Sequence, residues 1–267
     1  MTSSADIDQA LGFLRRRFPV APGLAIILGS GLGGFADALQ EPVSVPSHDI
    51  PHYPRSTVEG HKGELVSGLL GKTSVLAVRG RVHFYESGEL GTVLFPVRLL
   101  AALGAKKLVI TNAAGGVNRT FLPGDLMVLS DQLNLTGMGL PAEIPDGGKT
   151  ADYYDPGLRK LALATAEQLG IRVVTGCYAG VKGPSYETAA EVEMVHRLGG
   201  DAVGMSTVME TAAAIGLGMQ VLGISCITNK ATGTSPAKLD HAEVTEVANR
   251  VKENFAHLLR EIITRIS

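Results

Sequence analysis

Hydrophobic positions along this 267-residue chain follow two alternating patterns. Short continuous apolar runs at Leu24–Leu28 and at residues 107–110, 126–129, 172–178, 202–204 and 221–227 have the length and β-branched content of buried strands. Between them the apolar positions space out at three and four. Residues 6–18 place Ile7, Ala10, Leu11 and Leu14 on one helical face before Pro19 stops the pattern. Further helices are predicted over residues 92–103 (despite Pro96), Pro156–Leu169 closed by Gly170, 188–198, 208–217 and 243–266. Residues 62–70 and 73–78 read as a hairpin about Gly71-Lys72.

Strands and helices therefore alternate through short glycine-marked junctions, which is the α/β pattern. The hairpin and the long stretch 130–155 favour a mixed sheet over a purely parallel one. No internal repeat or low-complexity linker divides the chain. The proline- and polar-rich stretch 42–56 is preceded by too few residues to close a domain, so residues 1–267 are expected to form a single one.

Composition narrows the partners. Hydrophobic residues make up 45% and charged residues 19%, enough for a sizeable core, and the formal net charge is -2. No Lys/Arg cluster extends beyond Arg15, Arg16 and Arg17, so a nucleic-acid surface is not expected. Cys177 and Cys226 lie in apolar runs without a CxxC, as reduced thiols of the cytoplasm do. No apolar segment follows positive charge at the N-terminus, and apolar tracts break well short of ~20 residues, so neither a signal peptide nor a membrane span is expected. Cytoplasmic localisation is the resulting expectation.

The ends of the predicted strands carry the chemistry. GSGLGG, RGRVHFYE, TNAAGG, GPSYET, GMSTVMET and TNKATG are rich in glycine and in side chains that bind ligands. Ligands of open α/β sheets gather at the carboxyl ends of strands. IILGSGLGG spells G-x-G-x-x-G at Gly29, Gly31 and Gly34. A dinucleotide site would also need a following helix, a second strand and an acidic residue roughly 20 positions on. Asp49 has that offset but sits among prolines and histidines in SVPSHDIPHYP, and the helix FADALQ after the glycines is short. An anion loop offering the Ser30 hydroxyl and backbone N–H groups fits better.

In an extended RGRVHFYE, Arg81, His83 and Tyr85 share a face: a guanidinium fork for phosphate, a second donor, and a ring to cover a sugar. His61 lies in a glycine-bounded turn and is either a mobile ligand or an ordinary surface residue. His48 and His52 have no carboxylate at metal-ligand spacing, and no metal or cofactor is expected. GPSYET pairs Tyr186 with Glu187, suited to stacking on a planar heterocycle and accepting a ring N–H, while Ser185 is a candidate helix N-cap. Asn229 offers an amide to such a ring. This set describes phosphate, sugar hydroxyls and a purine-like base. Neither G-x-S-x-G nor HExxH is present, so the bound anion itself is the expected nucleophile.

GSGLG, STVEGHKG, GRVHFYE, TNAAGG, GPSYET, GMSTVME and ITNKATG, in this order, resemble the purine nucleoside phosphorylases of the trimeric type that act on 6-oxopurine nucleosides. The resemblance runs from near residue 23 to near residue 260. It implies a mixed, partly barrel-like sheet flanked by helices, a homotrimer, and reversible phosphorolysis of inosine and guanosine or their deoxy forms to a free base and a pentose 1-phosphate. It further implies phosphate contacts from Ser30, His61, Arg81, His83, Ala113 and Ser206. Sugar contacts would come from Tyr85, Met205 and His241, and base contacts from Tyr186, Glu187 and Asn229. Asn229, Glu187 and His83 would act in catalysis. The adenine-accepting methylthioadenosine phosphorylases carry an acidic residue at the position of Asn229. That sister activity and, in another class, a nucleotide-binding oxidoreductase using GxGxxG are the alternatives. The chain departs from the family at Met209, where proline is common, and at Tyr186, where phenylalanine is frequent. The segment PAEIPDGGKTADYYDP has no phenylalanine to reach a neighbouring active site, which leaves Tyr153 or Tyr154 as substitutes.

Overall fold

A computed structural model describes residues 3–18, 20–29, 32–57, 62–144, 152–234 and 241–266, except for the side chains of 241–245, 248 and 249. The strands are β1 (Leu24–Leu28), β2 (Gln40–Pro46), β3 (Glu64–Leu70), β4 (Thr73–Arg79), β5 (Lys107–Gly116), β6 (Leu126–Asn134), β7 (Val173–Gly180), β8 (Ala202–Gly204) and β9 (Gln220–Lys230). They form one mixed sheet in the order β2-β3-β4-β1-β5-β8-β7-β6-β9, and β5 also pairs with β9. That last pairing closes β5, β8, β7, β6 and β9 into a ring, leaving β2, β3, β4 and β1 as an open wing. The partly barrel-like mixed sheet implied by the resemblance is the observed one.

The helices are α1 (Ser4–Arg15), α2 (Phe84–Ser87), α3 (Leu90–Ala102), α4 (Pro156–Leu169), α5 (Ala189–Arg197), α6 (Val208–Gly216) and α7 (His241–Arg265). Local chemistry sets their ends. Ser3 and Asp6 cap α1 reciprocally; Asp155 caps α4 before Pro156, and left-handed Gly170 closes it. Thr188, not Ser185, caps α5, because Glu191 stands three residues on and returns the bond in a capping box. Among the described residues no helix is long and apolar enough to cross a membrane.

Strand alternation sorts the core into two layers. Ala25 and Ile27 of β1, Leu108 and Ile110 of β5, and Met127 and Leu129 of β6 pack with Leu14, Phe95, Leu99 and Ala213 from α1, α3 and α6. The intervening Ile26, Val109 and Val128 pack with Leu158, Phe255, Leu259 and Ile262 from α4 and α7.

Several strands run further than the apolar pattern predicts. β5 continues through TNAAGG, β9 through Asn229 and Lys230, and β6 to Asn134. Thr111, Asn112, Thr228 and Asn229 are buried polar residues inside strands, so they end a hydrophobic run without ending the pairing. The strand β2 overlaps the start of the proline- and polar-rich stretch 42–56; as an edge strand it accommodates Pro42 and Pro46. The predicted hairpin is present as antiparallel β3 and β4 about left-handed Gly71.

Candidate active site

The anion end is built around Arg81, which lies just after β4 and is 5% exposed. Its Nη1 donates to Ser206 Oγ at 3.0 Å, Thr207 Oγ1 at 3.3 Å and Glu210 Oε2 at 3.2 Å, and its Nη2 donates to the Thr111 carbonyl. Thr207 has φ 76° and ψ -54°, and the Val208 N–H donates back to the Ser206 carbonyl at 2.8 Å. This is the rare strained form of γ-turn, a geometry that costs about 1–3 kcal/mol and is held only by surrounding bonds. Those bonds are present: Asn112 Nδ2 donates to Thr207 Oγ1 at 2.9 Å, and the Thr207 N–H donates to Glu210 Oε2 at 2.7 Å. The strained turn thus sets Ser206 beside the Arg81 guanidinium.

The RGRVHFYE segment is not extended. It turns into α2 at Phe84, with His83 as N-cap. His83 and Tyr85 nevertheless lie together, their rings stacked at 5.0 Å and 11°. Glu86 organises this turn. It accepts the His83 N–H at 2.7 Å, faces His83 Nδ1 at 3.0 Å, and accepts from the Thr57 N–H at 2.6 Å and the Thr57 hydroxyl at 2.8 Å. These donors outweigh its partial burial and lower its pKa to about 2. The carboxylate on Nδ1 fixes the orientation of the imidazole ring.

Glycines bring the loops close. A Cβ on Gly29 would lie 2.7 Å from the Thr111 carbonyl, while the Gly29 N–H donates to Thr111 Oγ1 at 3.0 Å, so the glycine loop starts pressed against β5. A Cβ on left-handed Gly183 would strike Met205 Sδ and the Tyr85 ring, which puts GPSYET against the two predicted sugar residues. His83, Met205 and Ser206 line one pocket.

At the base end, Tyr186 is 48% exposed and Glu187 is partly buried; burial raises the pKa of its carboxyl, and Glu191 adds to the shift. Asn229, 8% exposed at the end of β9, is oriented by two bonds. The Thr228 hydroxyl donates to Oδ1 at 2.9 Å, and Nδ2 donates to the Lys230 carbonyl at 3.0 Å, leaving a second N–H. Beyond it, a Cβ on Gly233 would meet Ala189 at 2.6 Å, so the chain after Asn229 lies on the start of α5, two residues past Glu187. Ala113 is half-buried in β5, paired in register with Cys226.

Of the predicted site residues, Arg81, His83, Tyr85, Met205 and Ser206 are brought into one neighbourhood, with Asn112 and Thr207 linking it to β5. Ser30, His61 and the side chain of His241 lie outside the described residues. Glu86, Glu210 and Thr207 join the site beyond the residues that the sequence predicts for it. Their signals are the spacing H-x-x-E in HFYE and T-x-x-E in TVME, both capping boxes in the structure. Tyr154 is fully buried against Gly223, and its hydroxyl donates to Gln132 Oε1 at 3.0 Å. It belongs to the core of this chain and cannot substitute for an aromatic reaching a neighbour; Tyr153 is partly buried on the same core. The dinucleotide alternative lacks its supports: a 3-10 helix (Gly33–Ala38) follows the glycines, and Asp49 lies in a 3-10 turn rather than at a strand end. Among the described residues no cluster of His, Cys, Asp and Glu is grouped to hold a metal. Cys177 and Cys226 are free thiols, their pKa values pushed by burial to about 11 and about 12.

Known proteins share this sequence and fold. Residues 24–264 match the phosphorylase superfamily. Purine nucleoside phosphorylase 1 of Geobacillus stearothermophilus is 45% identical over 98% of this chain and 97% of its own length. Purine nucleoside phosphorylase 1 of Bacillus subtilis is 46% identical over 97% and 98%. A solved structure of Schistosoma purine nucleoside phosphorylase in complex with hypoxanthine superposes with a TM-score of 0.90 at 33% identity, covering 99% of this chain and 98% of that one. The chain belongs to the phosphorylase superfamily and, within it, to the purine nucleoside phosphorylases.

Proposed function

We propose that this enzyme carries out reversible phosphorolysis of 6-oxopurine nucleosides, inosine and guanosine above adenosine, with phosphate as the nucleophile and no metal or cofactor. The observation that carries this reading is the convergence of Arg81, Ser206 and His83 beside Tyr85 and Met205. Arg81 and Ser206 are bonded to each other at 3.0 Å, and an arriving phosphate takes both as donors, with His83 Nε2, the Ala113 backbone, Ser30 and His61 completing the cradle. Tyr85, Met205 and His241 hold the sugar.

Reaction begins as the bond from C1' to N9 lengthens and positive charge spreads over C1' and the ring oxygen. The phosphate dianion, aligned by its donors, stabilises that charge and one of its oxygens bonds to C1'. The electron pair of the broken bond passes to the purine. Asn229 meets this charge with the N–H of Nδ2 not used on Lys230, directed to N7. Glu187, ionised, accepts N1–H, and Tyr186 stacks on the base. The Thr228 hydroxyl on Oδ1 holds the amide with its donor side toward the base, which supports a 6-oxo over a 6-amino purine.

Assembly as a homotrimer and residence in the cytoplasm belong to the same proposal. The test is inosine cleavage with and without phosphate. Hypoxanthine and ribose 1-phosphate should form only with the anion; cleavage to free ribose without phosphate would overturn the reading.

A further inference from the structure

Asn112 is a buried amide in β5, 3% exposed, that takes no part in the chemistry above. Its one side-chain hydrogen bond among the described residues runs from Nδ2 to Thr207 Oγ1 at 2.9 Å, and its Oδ1 is buried without a partner. An unpaired acceptor in the interior is costly, and an apolar side chain would avoid that cost. What an amide supplies at this position is therefore the donor to Thr207.

The consequence of that donor appears when the hydrogens of the anion cluster are counted. A hydroxyl has two acceptor lone pairs and one hydrogen to donate. Thr207 Oγ1 accepts from Asn112 Nδ2 and, at 3.3 Å, from Arg81 Nη1, which fills both lone pairs. Its own hydrogen is left for Ser206 Oγ, 3.0 Å away. Ser206 Oγ also accepts from Arg81 Nη1 at 3.0 Å, so both of its lone pairs are filled in turn. The Tyr178 hydroxyl approaches this turn at Gly204 but lies outside hydrogen-bond geometry. The hydrogen of Ser206 thus has no acceptor inside the cluster. Thr207 is 1% exposed, whereas Ser206 lines the pocket shared with His83 and Met205, where an anion can take that hydrogen.

We infer that Asn112 is a positioning residue for phosphate, acting through Thr207: its donor orders the two hydroxyls so that Ser206 can only donate to the anion. This rests on the phosphorolysis reading, in which Ser206 meets phosphate. Without Asn112 one lone pair of Thr207 is vacant, and the order of the two hydroxyls becomes reversible. Ser206 could then turn a lone pair on the oxyanion, and it would have to reorganise on binding.

The test uses Asn112→Ala, Thr207→Val and Thr207→Ser in the full chain. KM is measured separately for phosphate and inosine, and binding of inorganic phosphate alone is measured by calorimetry across its second ionisation. Phosphate KM and Kd should rise about five- to tenfold in Asn112→Ala and in Thr207→Val, the scale of one ordered hydrogen bond. Thr207→Ser keeps the hydroxyl and should stay within about twofold of wild type. Inosine KM should change less than about twofold in all three, because no base contact is altered. A reversed Ser206 can accept from the P–OH of the phosphate monoanion. The loss in Asn112→Ala should therefore be smaller for the monoanion than for the dianion, a difference that mere loosening of the turn would not produce. Wild-type phosphate affinity in folded Asn112→Ala, equal rises in both KM values, or equal losses for the two ionic forms would overturn the inference. Should Asn112→Ala fail to fold, the Thr207 pair decides, and Thr207→Ser binding phosphate as weakly as Thr207→Val would overturn it. If the wild-type enzyme binds phosphate but fails to cleave inosine, the phosphorolysis reading falls, while the calorimetric comparison still decides what Asn112 does.

Discussion

The anion end and the base end of this site are built in opposite ways. At the anion end Arg81, Thr207, Glu210 and Asn112 are buried and bonded to one another before any ligand arrives, and a strained turn at Thr207 is part of the arrangement. At the base end Tyr186 is half exposed, Glu187 is only partly buried, and Asn229 is held by two bonds. The contrast follows from the ligands. Phosphate is small, strongly hydrated and charged, so its donors must be held in place to replace water without reorganising. A purine is a broad apolar plate that gains from stacking and needs few directed bonds.

The largest effect should come from breaking the preorganised end. Arg81→Ala is expected to lower kcat/KM for phosphate by about 10²–10³, the scale of losing a directed donor to developing charge. It also strands Glu210, whose side chain is 4% exposed, and should lower stability by about 3–5 kcal/mol. Adding Glu210→Gln should restore much of the melting temperature but not phosphate turnover. Recovery of both would mean that the pair is only structural.

At the base end, Glu187→Gln should lower kcat/KM for inosine by roughly 10²-fold with phosphate KM unchanged. It carries a pH signature. Burial raises the Glu187 carboxyl above its ordinary 4.5, so protonation removes the acceptor for N1–H at a pH above that value. Wild-type kcat/KM for inosine should therefore fall on acidification before an ordinary carboxylate titrates, and Glu187→Gln should lack that limb. An identical acid limb in the variant would assign the titration elsewhere.

Asn229→Asp should shift the adenosine-to-inosine ratio of kcat/KM upward by about tenfold, within what one hydrogen-bond reversal supplies; an unchanged ratio removes Asn229 from specificity. Tyr186→Ala should raise nucleoside KM only about two- to tenfold, the worth of one aromatic contact.

The smallest effect concerns stability at Glu86. Its folded pKa of about 2 lies below its ordinary 4.5, so its contribution is complete above 4.5 and is lost as pH falls toward 2. Acid unfolding of the wild type should steepen in that window, and Glu86→Gln should flatten it; superimposable acid melts would show that the His83–Glu86–Thr57 bonds add nothing.

Much of the fold is legible in the residues themselves. Leu24–Leu28 and Pro156–Leu169 occur at the bounds their apolar runs and caps predict. The hairpin of β3 and β4 follows from alternation around Gly71. The site is legible more coarsely. Residue types with the right chemistry cluster at strand ends, but the geometry of RGRVHFYE is not extended, because the His83 N–H donates to the Glu86 carboxylate in a cap that starts a helix. Nor does Arg81 read as a buried residue from its neighbours Gly80 and Val82; its burial depends on acceptors more than a hundred positions away, at Ser206, Thr207 and Glu210.

By itself, then, the sequence determined the alternation of strands and helices, the two-sided core and the chemical kinds gathered at strand ends, because periodicity, capping and turn chemistry act over a few residues. Tertiary structure alone decided that β5 meets β9 and closes a ring through buried threonines and asparagines, that Thr207 is held in a strained turn, and that Tyr154 faces inward. It also decided that the buried Arg79 pairs with both Asp37 and Glu64. The physical reason is common to these cases: whether a polar side chain is buried depends on where its partner lies in space, and no local pattern records that partner.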